Sequence, residues 1–169
     1  PVIDNWGFDI GFGSQPYMER AVSIGVLSPY IFDGRMGSRW RVNFDIAAKT
    51  LQAYTNVGIT EYALFLESNS KIYKDVVYSY TQFGLGLMTF EDDTDDFYDG
   101  DILTLPIAIG FQVVTSNTNK AVLSFFVEYR FTLYDDFDED KSLVSQPSTY
   151  VDPDALFSGT TSFGIRATF

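Results

Sequence analysis

Residues 39–46 read Arg39-Trp40-Arg41-Val42-Asn43-Phe44-Asp45-Ile46. Every second residue is apolar, and every residue between is charged or polar. A β-strand sends successive side chains to opposite faces, so this octet makes a strand with one apolar and one polar face. On a helix the same apolar positions would scatter around the circumference and bury nothing together.

The same period of two runs outward in both directions. Trp6, Phe8, Ile10 and Phe12 alternate with Gly7, Asp9, Gly11 and Gly13, and Val22, Ile24 and Val26 alternate with Ala21, Ser23 and Gly25. Toward the C-terminus, Phe83, Leu85 and Leu87 share a face, as do Leu103 through Val113 and Leu123 through Leu133 at every second position. The final stretch sets Phe163, Ile165, Ala167 and Phe169 against Ser162, Gly164, Arg166 and Thr168. With a segment near 54–66 this predicts eight strands. In that segment Val57 and Ile59 fall on one parity and Tyr62, Leu64 and Leu66 on the other, so a bulge near Glu61 is expected. Pro106 lacks the N–H a ladder needs, which predicts a bulge or pairing on that side only from Ile107 onward.

The connections alternate in character. Residues 32–37, 67–71 and 116–120 are short and polar, with turn-forming Gly, Asn and Ser. Residues 91–101 and 135–157 are long and acidic, and they hold 14 of the 23 Asp and Glu residues. Strand parity places both acidic connections at one end of the molecule and the short turns at the other, with the termini.

Composition narrows the class. Phe, Trp and Tyr make up 17% of the chain, yet no run approaches the ~20 apolar residues of a membrane helix. A chain of this kind spans a membrane only as a closed barrel, because an open sheet leaves backbone groups unpaired in lipid. There is no Cys and no His. That removes disulfides, thiolate and imidazole metal sites, and any nucleophile that relies on an imidazole base. The net charge of −12 opposes nucleic-acid binding. The sequence opens without a basic stretch and apolar core, and is read as a mature, processed form.

These features together resemble the small eight-stranded bacterial outer-membrane barrels, such as the OmpA membrane domain and OmpX. The likeness rests on strands alternating along the whole length and on the last segment, Thr161-Ser162-Phe163-Gly164-Ile165-Arg166-Ala167-Thr168-Phe169. The resemblance implies that Phe163, Ile165 and Phe169 form the signal read by the barrel assembly machinery. It implies a bacterial outer-membrane location with both termini periplasmic, and contact with outer-membrane lipid and lipopolysaccharide.

The expected fold is therefore all-β: one domain, residues 1–169, forming an eight-stranded antiparallel up-and-down transmembrane β-barrel. Asp9, Arg39, Arg41, Asp45, Glu128, Arg130 and Arg166 share the polar parity. They are expected to fill the lumen as a structural ion-pair network, since a barrel this small is filled by its own side chains. Asp9 and Arg166 lie on strands that closure makes neighbours and form a candidate pair, with Glu128 as a possible third member. Asp92, Asp93, Asp95 and Asp96, with Asp136, Asp138 and Asp140, are candidates for weak divalent-cation binding, although neither group has EF-hand spacing. No catalytic residue and no cofactor is assigned. The expected role is a non-enzymatic structural, surface-interaction or accessory subunit acting through its acidic outer segments, including toward another outer-membrane protein. The alternatives are a small channel, a lipid-modifying enzyme (opposed by the absent His), and a soluble lipocalin-like barrel with its apolar face turned inward.

Overall fold

The octet at 39–46 lies inside a 14-residue strand, Ser38–Leu51, and its polar parity points into a closed barrel. The computed structural model describes residues 5–15, 18–51, 57–92, 100–118, 120–134 and 159–169. The strands are β1 (Gly7–Gln15), β2 (Met18–Leu27), β3 (Phe32–Asp33), β4 (Ser38–Leu51), β5 (Val57–Tyr73), β6 (Val77–Asp92), β7 (Gly100–Asn117), β8 (Val122–Tyr134) and β9 (Thr160–Thr168). Two-residue β3 only ribs the rim beside β4, where the Phe32 and Trp40 rings stack 5.7 Å apart. The other eight are antiparallel to their neighbours, β2 passes directly to β4, and β1 pairs with β9 to close the cylinder. The fold is an up-and-down eight-stranded β-barrel.

The register fixes its dimensions. Starting at Ser124 on β8, the paired residues run Arg166, Asp9, Gly25, Asp45, Ala63, Gly86, Thr104 and back to β8 at Tyr134, ten residues further along. With ordinary strand rise and spacing, that stagger tilts the strands by about 40° from the barrel axis.

Burial divides along the alternation. Phe8, Ile10, Phe12, Phe44, Leu64, Leu85, Phe111, Phe125 and Val127 all point outward and are exposed, up to 62% at Leu103 and 63% at Phe163. The largest fully buried side chains include Arg41, Arg166, Tyr80 and Phe65, all facing the lumen. The core of this protein is polar and charged, and its surface is apolar. Glycine on the lumen face makes room for the large side chains: the Tyr80 ring lies over Gly110, where a Cβ would collide with it, and Phe126 lies over Gly164.

Three expectations about the strands need correction. β5 has no bulge near Glu61, because its pairing with both β4 and β6 runs unbroken from Ile59 to Ser70. Ile59 is a buried lumen residue, so its apolar character misled the parity. Residues 67–71 are strand, not turn; the reversal is at 74–76, and Glu67 and Asn69 face the interior. Pro106 causes no bulge. Its pairing with β8 opposite Thr132 is continuous, while the β6 side skips from Phe83–Ile107 to Gly86–Thr104 with equal residues on both strands. One missing donor opens a gap without shifting register.

Candidate functional site

The lumen carries a column of ion pairs. Nearest the termini, the Arg166 guanidinium donates from Nε and Nη2 to Asp9 Oδ2 at 3.2 and 3.0 Å. It also straddles Glu67, with Nη1 and Nη2 donating to its two oxygens at 3.2 and 3.1 Å. Its Nη1 donates to Gln112 Oε1 at 3.0 Å as well. Glu67 further accepts Arg41 Nε at 2.7 Å, Asn69 Nδ2 at 2.6 Å and Gln82 Nε2 at 2.6 Å. A fully buried carboxylate is tolerated there because it lies between two guanidinium groups and two amides. Tyr80 and Phe126 present ring faces to Arg166 at 4.8 and 5.5 Å.

Further along the axis, Arg130 bridges Asp45 at 2.5 Å and Glu128 at 3.0 Å, with its guanidinium 4.7 Å from the Phe65 ring centre. Tyr80 Oη donates to Glu128 Oε2 at 3.0 Å, which ties this tier to the first. Beyond them Lys49 pairs with Glu61 at 3.0 Å. The space beside Lys49 and Arg130 amounts to about 20 Å³, room for about one water.

The sequence-derived set maps onto this column with one exception and three additions. Asp9 and Arg166 pair directly, and Arg41, Asp45, Glu128 and Arg130 all lie within the column. Glu128 bonds Arg130 and Tyr80, and the third member beside Asp9 and Arg166 is Glu67. Arg39 is outside: it sits at the rim, bonds exposed Asp33 through Nε at 3.2 Å and lies 4.0 Å from the Tyr30 ring centre. One more step along its strand carried it past the packed interior. Glu67, Glu61 and Lys49 are the members the sequence did not yield. The signal for the first two was the parity of Tyr62, Leu64 and Leu66, carried in both directions without interruption.

At the termini end the column opens into a cavity of about 230 Å³ lined by Tyr30, Arg39, Arg41, Lys71, Tyr78 and Gln112 among others. On its rim Lys71 Nζ donates to Asp75 at 2.7 Å and holds that carboxyl below its usual range.

Among the described residues no group of three or more metal-ligating side chains converges. Asp93, Asp95, Asp96, Asp136, Asp138 and Asp140, and the side chain of Asp92, lie outside the described residues. Phe163, Ile165 and Phe169 point outward along β9 and just past it. Their rings continue onto β1, with Phe12–Phe163 and Phe8–Phe169 centroids 6.3 and 6.4 Å apart.

No protein-family model matches the chain, and no curated protein matches it significantly.

Proposed function

We propose that the protein is an integral barrel of a bacterial outer membrane, with its termini periplasmic. In this reading it is a non-enzymatic scaffold or surface-interaction subunit acting through residues 91–101 and 135–157. The observation that carries the reading is the inverted burial: an apolar exterior around a charged interior. In water, exposed apolar patches beyond a few hundred Å² are rare on monomers. Here the apolar face extends around the wall. On β7 and β8 it runs from Leu103 to Val113 and from Leu123 to Leu133. Ten residues tilted at about 40° span about 25 Å along the axis, the height of the apolar band of membrane barrels. A lipocalin-like barrel needs its apolar residues inside to hold an apolar ligand, and this lumen is packed with ions.

The packed column also opposes a channel. An ion passing through would have to displace Arg166 from Glu67 and Asp9, then Arg130 from Asp45, and breaking a buried pair costs about 3–5 kcal/mol. Lipid chemistry would need a nucleophile and base, and the lumen offers neither Cys nor His.

The test is fractionation of the producing cell followed by gel migration with and without boiling. The expected result is recovery in the outer-membrane fraction, resistance to carbonate extraction, and faster migration before heating. Release by carbonate without detergent would overturn the membrane reading. Stable single-channel conductance in planar bilayers would overturn the scaffold reading.

A further inference from the structure

We infer that the cavity at the termini end of the barrel is a binding site for a small oxyanion, bearing carboxylate or phosphate oxygens. The inference stands on the cavity and does not depend on the membrane reading.

Its volume of about 230 Å³ equals about eight waters at liquid density, enough for a small organic acid or a phosphate with its hydration. The walls carry three cations, Arg39, Arg41 and Lys71, against one carboxylate, Asp75. This occurs in a chain of net charge −12, so the local sign opposes that of the molecule. Six of the 11 Lys and Arg residues (Arg35, Arg39, Arg41, Lys71, Lys74 and Lys120) belong to this end. Among the described residues, the acids there are Asp33 and Asp75, with Glu67 and Asp9 deeper, where both pair with Arg166.

The cations are held in place. Tyr30 presents its ring to two guanidinium groups, Arg39 at 4.0 Å and Arg41 at 5.0 Å, so both are oriented before any ligand arrives. Arg41 forms the floor, with its side chain 2% exposed and anchored behind by Glu67. An oxyanion reaching it meets a charge backed by low-dielectric wall, where the field of a cation is strongest. The rim cations have exposed partners: the side chains of Asp33 and Asp75 are 80% and 68% exposed. Pairs of that kind contribute about 0–1 kcal/mol, so an incoming oxyanion displaces them at little cost. Amides complete the lining: Gln112 at depth and Asn117 at the mouth offer neutral donors around a carboxylate or phosphate, while Asn69 gives its Nδ2 to Glu67.

The experiment is a titration of the full folded chain in detergent micelles, followed by amide NMR shifts. Citrate and inorganic phosphate are the two probes, and tetramethylammonium is the cation control. The expected result is saturable shifts at Asn69, Lys71, Gln112 and Asn117 with one or both anions, weakening as salt rises. Saturation by citrate alone assigns a carboxylate ligand, and by phosphate alone a phosphorylated one. The double variant Arg39→Gln, Lys71→Gln should bind at least about tenfold more weakly, about 1.4 kcal/mol. Both residues are at the rim, so the variant should keep heat-modifiable migration and unchanged shifts around Arg166. A second variant, Tyr30→Leu, should weaken binding while leaving the charge unaltered. Absence of saturation by either anion up to about 10 mM, undiminished binding in the double variant, or an equal response to tetramethylammonium would overturn the assignment.

Discussion

Glu67 receives five hydrogen-bond donors from four side chains and has no exposure to solvent, and Arg166 is shared between it, Asp9 and Gln112. Removing one member leaves the others charged and unpaired in a low-dielectric interior. Glu67→Ala should therefore destabilise the barrel by about 3–5 kcal/mol, read as a lower urea midpoint in lipid vesicles. Arg39→Gln, which removes the exposed pair with Asp33 and the contact with the Tyr30 ring, should change that midpoint by no more than about 2 kcal/mol. An equal loss for both would mean that the column does not hold the barrel together.

Each strand presents a graded position along the barrel axis, and β8 is the clearest ruler. Its outward residues Leu123, Phe125, Val127, Tyr129, Phe131 and Leu133 cover the apolar band from end to end. Val127→Arg, near mid-depth, should cost about 2–4 kcal/mol in vesicles, whereas Leu133→Arg near the rim should cost about 0–1 kcal/mol. Equal costs in vesicles would oppose a bilayer around this wall. At this scale the sequence was most legible where one strand face is uniformly apolar. The octet at 39–46 and the runs of β7 and β8 gave their facing directly. Legibility failed on β5, where Ile59, Ala63 and Phe65 place apolar groups on the lumen side and Ser68 and Ser70 place hydroxyls on the outer side. Polar residues at 67–71 then looked like a turn, and Glu67 was lost with them. Pairing partners settle such a strand, and one chain's pattern does not contain them. The Asp9–Arg166 contact, by contrast, was legible because closure of an eight-stranded barrel must bring the first and last long strands together.

The whole molecule is polarised. Eleven acidic residues lie in the two segments connecting β6 to β7 and β8 to β9, and Glu91, Asp92 and Asp101 lie on the strand ends beside the first, while the opposite mouth is lined by cations. The strand pairs and lumen ion pairs given above all join described residues outside 135–157. Replacing them with a short Gly-Ser linker should leave heat-modifiable migration intact and abolish recovery of any stoichiometric partner from native membranes. A partner retained by the shortened chain would move the interaction surface elsewhere.

The seam between β1 and β9 also dictates an order of events. Asp9 and Arg166 lie 157 residues apart, so nearly the whole chain must be made before the bond that joins them exists. Until β9 arrives, β1 and β8 are both open edges. In water such an edge invites pairing with another chain, and in hydrocarbon it leaves backbone groups unpaired. A five- or six-stranded intermediate is therefore stable in neither phase. In the membrane reading proposed above, closure and entry into the bilayer become one event, timed by the last strand, and a helper that holds β1 or β8 until then would act where the chain is most exposed to misassembly.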